Sequence, residues 1–220
     1  MYPLSLLSET PAIFPLFGDQ LTGEPHVFDF SSKNPKTAVW DTADFDAFQA
    51  AIVGELKMAG KEWGIGRYLE ERSALLRNYP QILEEGRIYH AGLDITAPAG
   101  SKIFAPLNSV VFETGKEEGV GNYGGFVILK HQDGKDRFYS FYGHLRTPHI
   151  VERGRTLVAG QNFAVIGDGS DSGGWFTHTH LQVITQAALD AGRRMQGYVT
   201  VEDLKSIEDI FPPPYPLFRY

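Results

Sequence analysis

The chain of 220 residues contains no cysteine. That excludes disulfide staples and the cysteine-ligated zinc finger or ribbon, and it leaves the redox compartment open. No apolar run is long enough to cross a bilayer, so at 42% hydrophobic residues the sequence reads as a soluble globular protein with one substantial core plus an attachment. Basic blocks are missing too. With a net charge of −7, nucleic-acid binding and attraction to an anionic membrane have no electrostatic footprint. The H-E-x-x-H helix of many zinc peptidases is absent. The start, Met1 to Pro11, is mildly apolar but has no basic n-region and is broken by Pro3 and Pro11. It does not read as a secretory signal, and a cytoplasmic location is the expectation from sequence.

What is present is histidine at suggestive spacing. His178-Thr179-His180 lies within a strand-like run from Phe176 to Ile184. On a strand, side chains alternate with period two, so both imidazoles leave one face with Cα atoms about 6.5–7 Å apart. One ring can bind an ion while the other reaches the ion's water. Strand geometry does not say which does which.

The rest of such a shell is found upstream, in Tyr89-His90-Ala91-Gly92-Leu93-Asp94-Ile95. The segment sits between a strand-like start and the breaker run Ala97-Pro98-Ala99-Gly100, so it reads as strand and turn. Kept straight, it would hold His90 and Asp94 about 13 Å apart, too far for ligands that each lie about 2 Å from one zinc ion. The chain is expected to bend, with Gly92 permitting it. Two imidazoles and a carboxylate leave zinc an open fourth position, the pattern of a catalytic site with bound water.

His144 ends the aromatic run Phe138 to Leu145, after Gly143. It is either a half-buried strand-end residue or a group that handles a proton or an oxyanion opposite the metal. His26, His131 and His149 adjoin turn-like residues and read as solvated loop positions. Gly119, Gly121, Gly124, Gly125, Gly169, Gly173 and Gly174 read as hairpin and bulge residues that together would leave a narrow groove for an extended peptide, and Trp175 reads as core or as a wall of that groove.

Taken in order, His90-Ala-Gly-Leu-Asp94, Tyr142-Gly-His144-Leu145 and His178-Thr-His180 resemble the signatures of the lysostaphin-type (LytM-like) zinc metalloendopeptidases, which cut peptide cross-links in bacterial cell walls. Gly119 to Gly125 with Phe126 to His131, and Val158 to Gly167, are similar to further pieces of that family. The resemblance spans roughly Gly86 to Ile184. It implies His90, Asp94 and His180 as zinc ligands and His178 and His144 as catalytic histidines. It also implies a peptide or peptidoglycan substrate; the family's usual wall substrate conflicts with the missing signal, so the expectation is either a mature or truncated form acting outside the cytoplasm or a substrate inside the cell. The implied fold class is α+β, mainly antiparallel β with a sandwich-like core. Its expected parts are an N-terminal helical extension over 1–85, a metallopeptidase β domain over 86–190, and a short helix and Pro/aromatic tail over 191–220. No membrane insertion is implied, and the oligomeric state is left open.

Outside that segment, Phe45, Phe48, Ile52 and Leu56 recur at helical spacing and predict an amphipathic helix from Asp44 to Ala59, stopped by Gly60. A second helix is expected over Tyr68–Arg77, before Pro80. Strands are expected at Ile103–Ala105, Ser109–Thr114, Phe126–His131, Phe138–Gly143, Phe163–Gly167 and Thr179–Ile184. Thr200 to Asp203 has the form of a capping box. A cupin-like oxidoreductase is the rival enzyme reading, but no glutamate follows the doublet from Leu181 to Leu189 and no histidine follows His180. The other rival is a catalytically silent relative acting as a binding or regulatory module, and the helical extension lying across the groove would make the enzyme latent.

Overall fold

Period-two alternation along the strand-forming runs builds the sheet that positions everything else. In the computed structural model, which describes residues 13–133 and 136–220, twelve strands are assigned. They are β1 (His26–Val27), β2 (Gly64–Gly66), β3 (Tyr89–His90), β4 (Leu93–Thr96), β5 (Lys102–Phe104) and β6 (Ser109–Glu117). They continue as β7 (Gly124–Asp133), β8 (Asp136–Leu145), β9 (Thr156–Leu157), β10 (Asn162–Val165), β11 (Thr179–Ile184) and β12 (Tyr198–Val199). Eight of them form one sheet in the order β1-β2-β4-β11-β8-β7-β6-β9, while β5 pairs with β10 and β3 with β12. Every pairing is antiparallel except β1 with β2. The fold is therefore α+β and mainly antiparallel, as expected. The reading of Met1 to Pro11 lies outside the described residues.

The sheet is buried on both faces. Along β7, Val127 and Leu129 join one cluster with Leu93, Leu181, Ile103 and Phe163, whereas Phe126 and Ile128 join another with Phe141, Ile184 and Phe211. Two apolar layers thus form from alternate residues of one strand. A third cluster joins Phe28, Phe30, Trp40, Phe48 and Ile52 from the N-terminal part to Trp175 and Phe176, immediately before the histidine doublet.

The helix Phe45–Ala59 forms where expected, with the Asp44 side chain accepting from the Ala47 N–H and Gly60 ending it at φ 64°. Asp44 satisfies an otherwise orphaned donor, and glycine takes the left-handed C-terminal position without a Cβ clash. Phe48 meets the edge of Phe176 at 5.1 Å. Thr200 and Asp203 make the reciprocal capping bonds, at 3.0 and 3.3 Å. The aromatic tail packs down, with Phe211 and Leu217 fully buried.

Three expectations are corrected. Tyr68–Arg77 is not a helix: a 3₁₀ turn spans Leu75–Asn78 and a short helix begins at Pro80. Residues 69–72 instead run beside β3, with Leu69 N–H donating to His90 O, His90 N–H to Glu70 O and Arg72 N–H to Ile88 O at 2.7–3.0 Å. Second, His131 is buried at 1% exposure, not solvated. The strand extends past it, its Nε2 lies 2.7 Å from Ser140 Oγ, and burial pushes its pKa down to about 4. Third, His26 and His149 are partly buried and engaged, the first with Glu55 Oε1 at 3.0 Å and the second donating to Gly115 O at 2.7 Å.

Candidate metal centre

Register brings the candidate residues together. β11 lies between β4 and β8, so His180 sits opposite Asp94 on one side and opposite Gly143, the neighbour of His144, on the other. The chain breaks between β3 and β4, and β3 leaves the main sheet to pair with β12, His90 against Tyr198. That break is the expected bend. Gly92 serves it by clearance: a Cβ there would stand 2.4 Å from His180 Cε1 and 2.8 Å from Leu181 O. His144, one residue before the end of β8, has φ 60°, a left-handed conformation uncommon for non-glycine residues.

His90, Asp94 and His180 form a cluster able to hold a metal ion, their ligand atoms lying within 4.8 Å of one another. His90 Nε2 is 3.0 Å from His180 Nδ1, and each is 3.1 Å from Asp94 Oδ1. Ligands about 2 Å from a shared tetrahedral ion stand about 3.3 Å apart, so the triangle has the right size. Its hydrogen bonding has the right sign as well. The Arg67 carbonyl can only accept, so His90 Nδ1 donates to it at 3.0 Å. Gln182 spends its amide N–H on Gln196 O and presents Oε1 to His180 Nε2 at 2.9 Å, which makes that nitrogen the donor. With both ring protons used outward, His90 Nε2 and His180 Nδ1 each aim a lone pair at a carboxylate oxygen. Three buried acceptors without a donor repel one another unless a cation lies between them, which is how outer partners orient metal-binding histidines.

His178 repeats the pattern: its Nδ1 donates to Phe176 O at 2.7 Å, leaving Nε2 as the acceptor 3.5 Å from Asp94 Oδ1. His144 lies beside it, ring centroids 4.3 Å apart, with Nδ1 buried and unpartnered among the described residues. Burial, reinforced by His178 and His180, holds the His144 pKa well below the usual range. Burial together with Arg72 pushes His90 down to about 3. Burial opposes the Asp94 charge, yet His90, Arg72 and His178 hold its carboxyl well below the ordinary value. Burial thus favours the neutral ring at His90 and His144, and the surrounding groups favour the anion at Asp94.

All five residues line one cavity of about 220 Å³, together with Tyr123, Trp175, Tyr198, Gly121 and Asn122. Trp175 is both core and wall: it is 5% exposed and stacks on Tyr79 at 4.4 Å. Arg72, Leu75, Gln81, Ile82, Glu85 and Arg87 close the remaining side. Sequence reasoning missed Gln182, although it continues the period-two face of His178 and His180. It also missed Arg72 and Glu70, for which no local pattern exists.

Residues 88–191 match peptidase family M23. Among solved structures, the chain is similar to a zinc containing peptidase from Vibrio cholerae, at 20% identity and TM-score 0.36, covering 45% of this chain and 28% of that one. It is also similar to the catalytic domain of the antimicrobial peptidase lysostaphin from Staphylococcus simulans, at 20% identity and TM-score 0.40, covering 55% and 80%. A third likeness is to LytU, at 21% identity and TM-score 0.40, covering 56% and 80%. The chain therefore spans under a third of the length of the Vibrio cholerae protein. No curated protein matches it.

Proposed function

From the match of residues 88–191 to peptidase family M23, we propose that the chain is a zinc-dependent endopeptidase of that family whose substrates are peptides of the bacterial cell wall. The observation that carries the reading is the buried triangle of His90 Nε2, Asp94 Oδ1 and His180 Nδ1, three acceptors facing one point. These residues would hold the ion. Bound there, zinc supplies Lewis acidity that brings the pKa of water from about 15.7 to near 7.

The remaining work falls to this chain's own side chains. His178 has its Nδ1 proton committed to the Phe176 carbonyl, so its Nε2 takes a proton from the attacking water and returns it to the leaving amine. His144, kept neutral by burial, offers its unpartnered Nδ1 to the oxygen that gains charge in the transition state. The buried aromatic rings of Trp175 and Tyr198 in the cavity wall would limit the water around that contact.

Zinc content of the purified protein by mass spectrometry, followed by incubation with sacculi and a panel of defined cross-bridge peptides, tests the reading. Near one zinc per chain and a chelator-sensitive cleavage product are expected. A stoichiometry near zero, unrecovered by added zinc, would support a non-catalytic binding module instead.

A further inference from the structure

Arg72 precedes the segment that matches the family, yet it is 2% exposed and joined to the candidate centre. Its guanidinium spans two carboxylates, with Nη1 donating to Asp94 Oδ2 at 2.7 Å and Nε to Glu70 Oε2 at 3.1 Å. A planar fork can do this; a single ammonium cannot hold both carboxylates in register. The fork is itself fixed. Its Cζ lies 4.8 Å from the Phe30 ring centroid, and Glu70 Oε1 accepts from Phe30 N–H at 3.1 Å and Arg67 Nη2 at 2.7 Å. Space was cleared for it at Gly66, where a Cβ would meet Arg72 Nη2 at 2.8 Å.

The two oxygens of Asp94 are therefore divided. Oδ2 belongs to Arg72, and Oδ1 faces His90 and His180. We infer that Arg72 is a positioning residue that commits Asp94 to binding the metal through one oxygen, with Glu70 as its brace. The inference rests on the reading of His90, Asp94 and His180 as a metal triad. A lone cation this close would repel a metal ion, but Glu70 and Asp29 together offset the charges of Arg72 and Arg67, so the group brings orientation without net positive charge. The same stretch of backbone orients a second donor, because the Arg67 carbonyl holds the His90 ring. Two of the three donors are thus set from outside the matched segment.

The test is the zinc dissociation constant of the full chain, measured by competition with a chromophoric chelator. Arg72→Met is expected to weaken zinc binding by about 10–100-fold, the range for lost outer partners of metal ligands. Arg72→Lys should rescue little of it, and Glu70→Gln should give a smaller loss. In an Asp94→Ala background, removing Arg72 should change zinc affinity by less than about threefold, since its effect passes through the missing carboxylate. Zinc X-ray absorption should gain one oxygen neighbour in Arg72→Met, as the freed Oδ2 joins the ion. Unchanged or tighter zinc binding in Arg72→Met, or an equal loss in the Asp94→Ala background, overturns the inference. Should Arg72→Met fail to fold, unchanged affinity in both Arg72→Lys and Glu70→Gln overturns it equally. A wild-type chain that binds no zinc sinks the metal reading itself, which separates the two failures.

Discussion

The two walls of the cavity are built on different principles. One, from the matched segment, is regular sheet: β4, β11 and β8 present Asp94, His180 and the residue before His144 in ladder register. The other, from residues 67–87, is irregular backbone held by buried charge, with Arg72 between Glu70 and Asp94 and short turns after it. A ladder places side chains cheaply, because the backbone bonds that fix it are needed anyway. A buried ion pair is costly to desolvate and adds little net stability, so its presence points to a geometric task. On the proposed reading, the first wall would supply the reacting groups and the second would set their orientation.

The largest expected effect comes from the sheet wall. His180→Ala should lose both zinc, by mass spectrometry, and hydrolysis of any peptide the wild type cleaves; a variant that keeps one zinc per chain would break the division. Next is removal of the N-terminal part up to Gly60. Latency would make the truncated protein faster, but the deletion takes away Phe28, Phe30 and Phe48, all fully buried, each worth about 3–5 kcal/mol when truncated to alanine. The expected outcome is loss of the cooperative urea transition. A stable truncated protein with higher turnover would restore latency.

Smaller effects sharpen the contrast within the sheet wall. His178→Ala should keep zinc and lower the rate by about 10²–10⁴-fold, the usual worth of a positioned acid–base group; wild-type turnover would remove it from the chemistry. Gly92→Ala forces a Cβ into the His180 ring at 2.4 Å and should weaken zinc by about 10–100-fold, read by chelator competition. The smallest effect concerns His131, a buried histidine outside the cavity. Its pKa in the fold is about 4, against about 6.5 unfolded, so unfolding takes up a proton between those values and stability falls as pH drops below 6.5. From pH 7 to pH 5 the wild type should lose about 2 kcal/mol more than His131→Gln, by urea denaturation at both pH values.

Legibility in the sequence followed the same divide. β11 forms at Thr179–Ile184 as read, and the strands of the sandwich lie where alternation and turn residues put them, because those signals are local. His90, Asp94, His144, His178 and His180 were visible as motifs, and the structure gathers all five around one cavity. The stretch from Tyr68 to Arg77 was misread because its apolar spacing suits a helix, whereas its backbone bonds go to residues 88–90 and its charges to Asp94. Those partners are distant in sequence, so nothing within the stretch announces them. His131 failed for a related reason: the nearby Asp133-Gly134 reads as a turn, while the strand runs on to Asp133 and His131 is buried within it.

The sheet order has one more bearing on substrate. β4 is bordered by β2 and β11, and β11 by β4 and β8, so neither strand carrying Asp94 or His180 has a vacant hydrogen-bonding rim. An extended peptide cannot lengthen the sheet beside them in the way that strand-adding binders work. On the proposed reading, a peptide would instead meet loop backbone such as Gly121-Asn122 and Gln196-Gly197, which line the cavity, so the shape of the mouth, with no ladder to read the sequence, would select small residues.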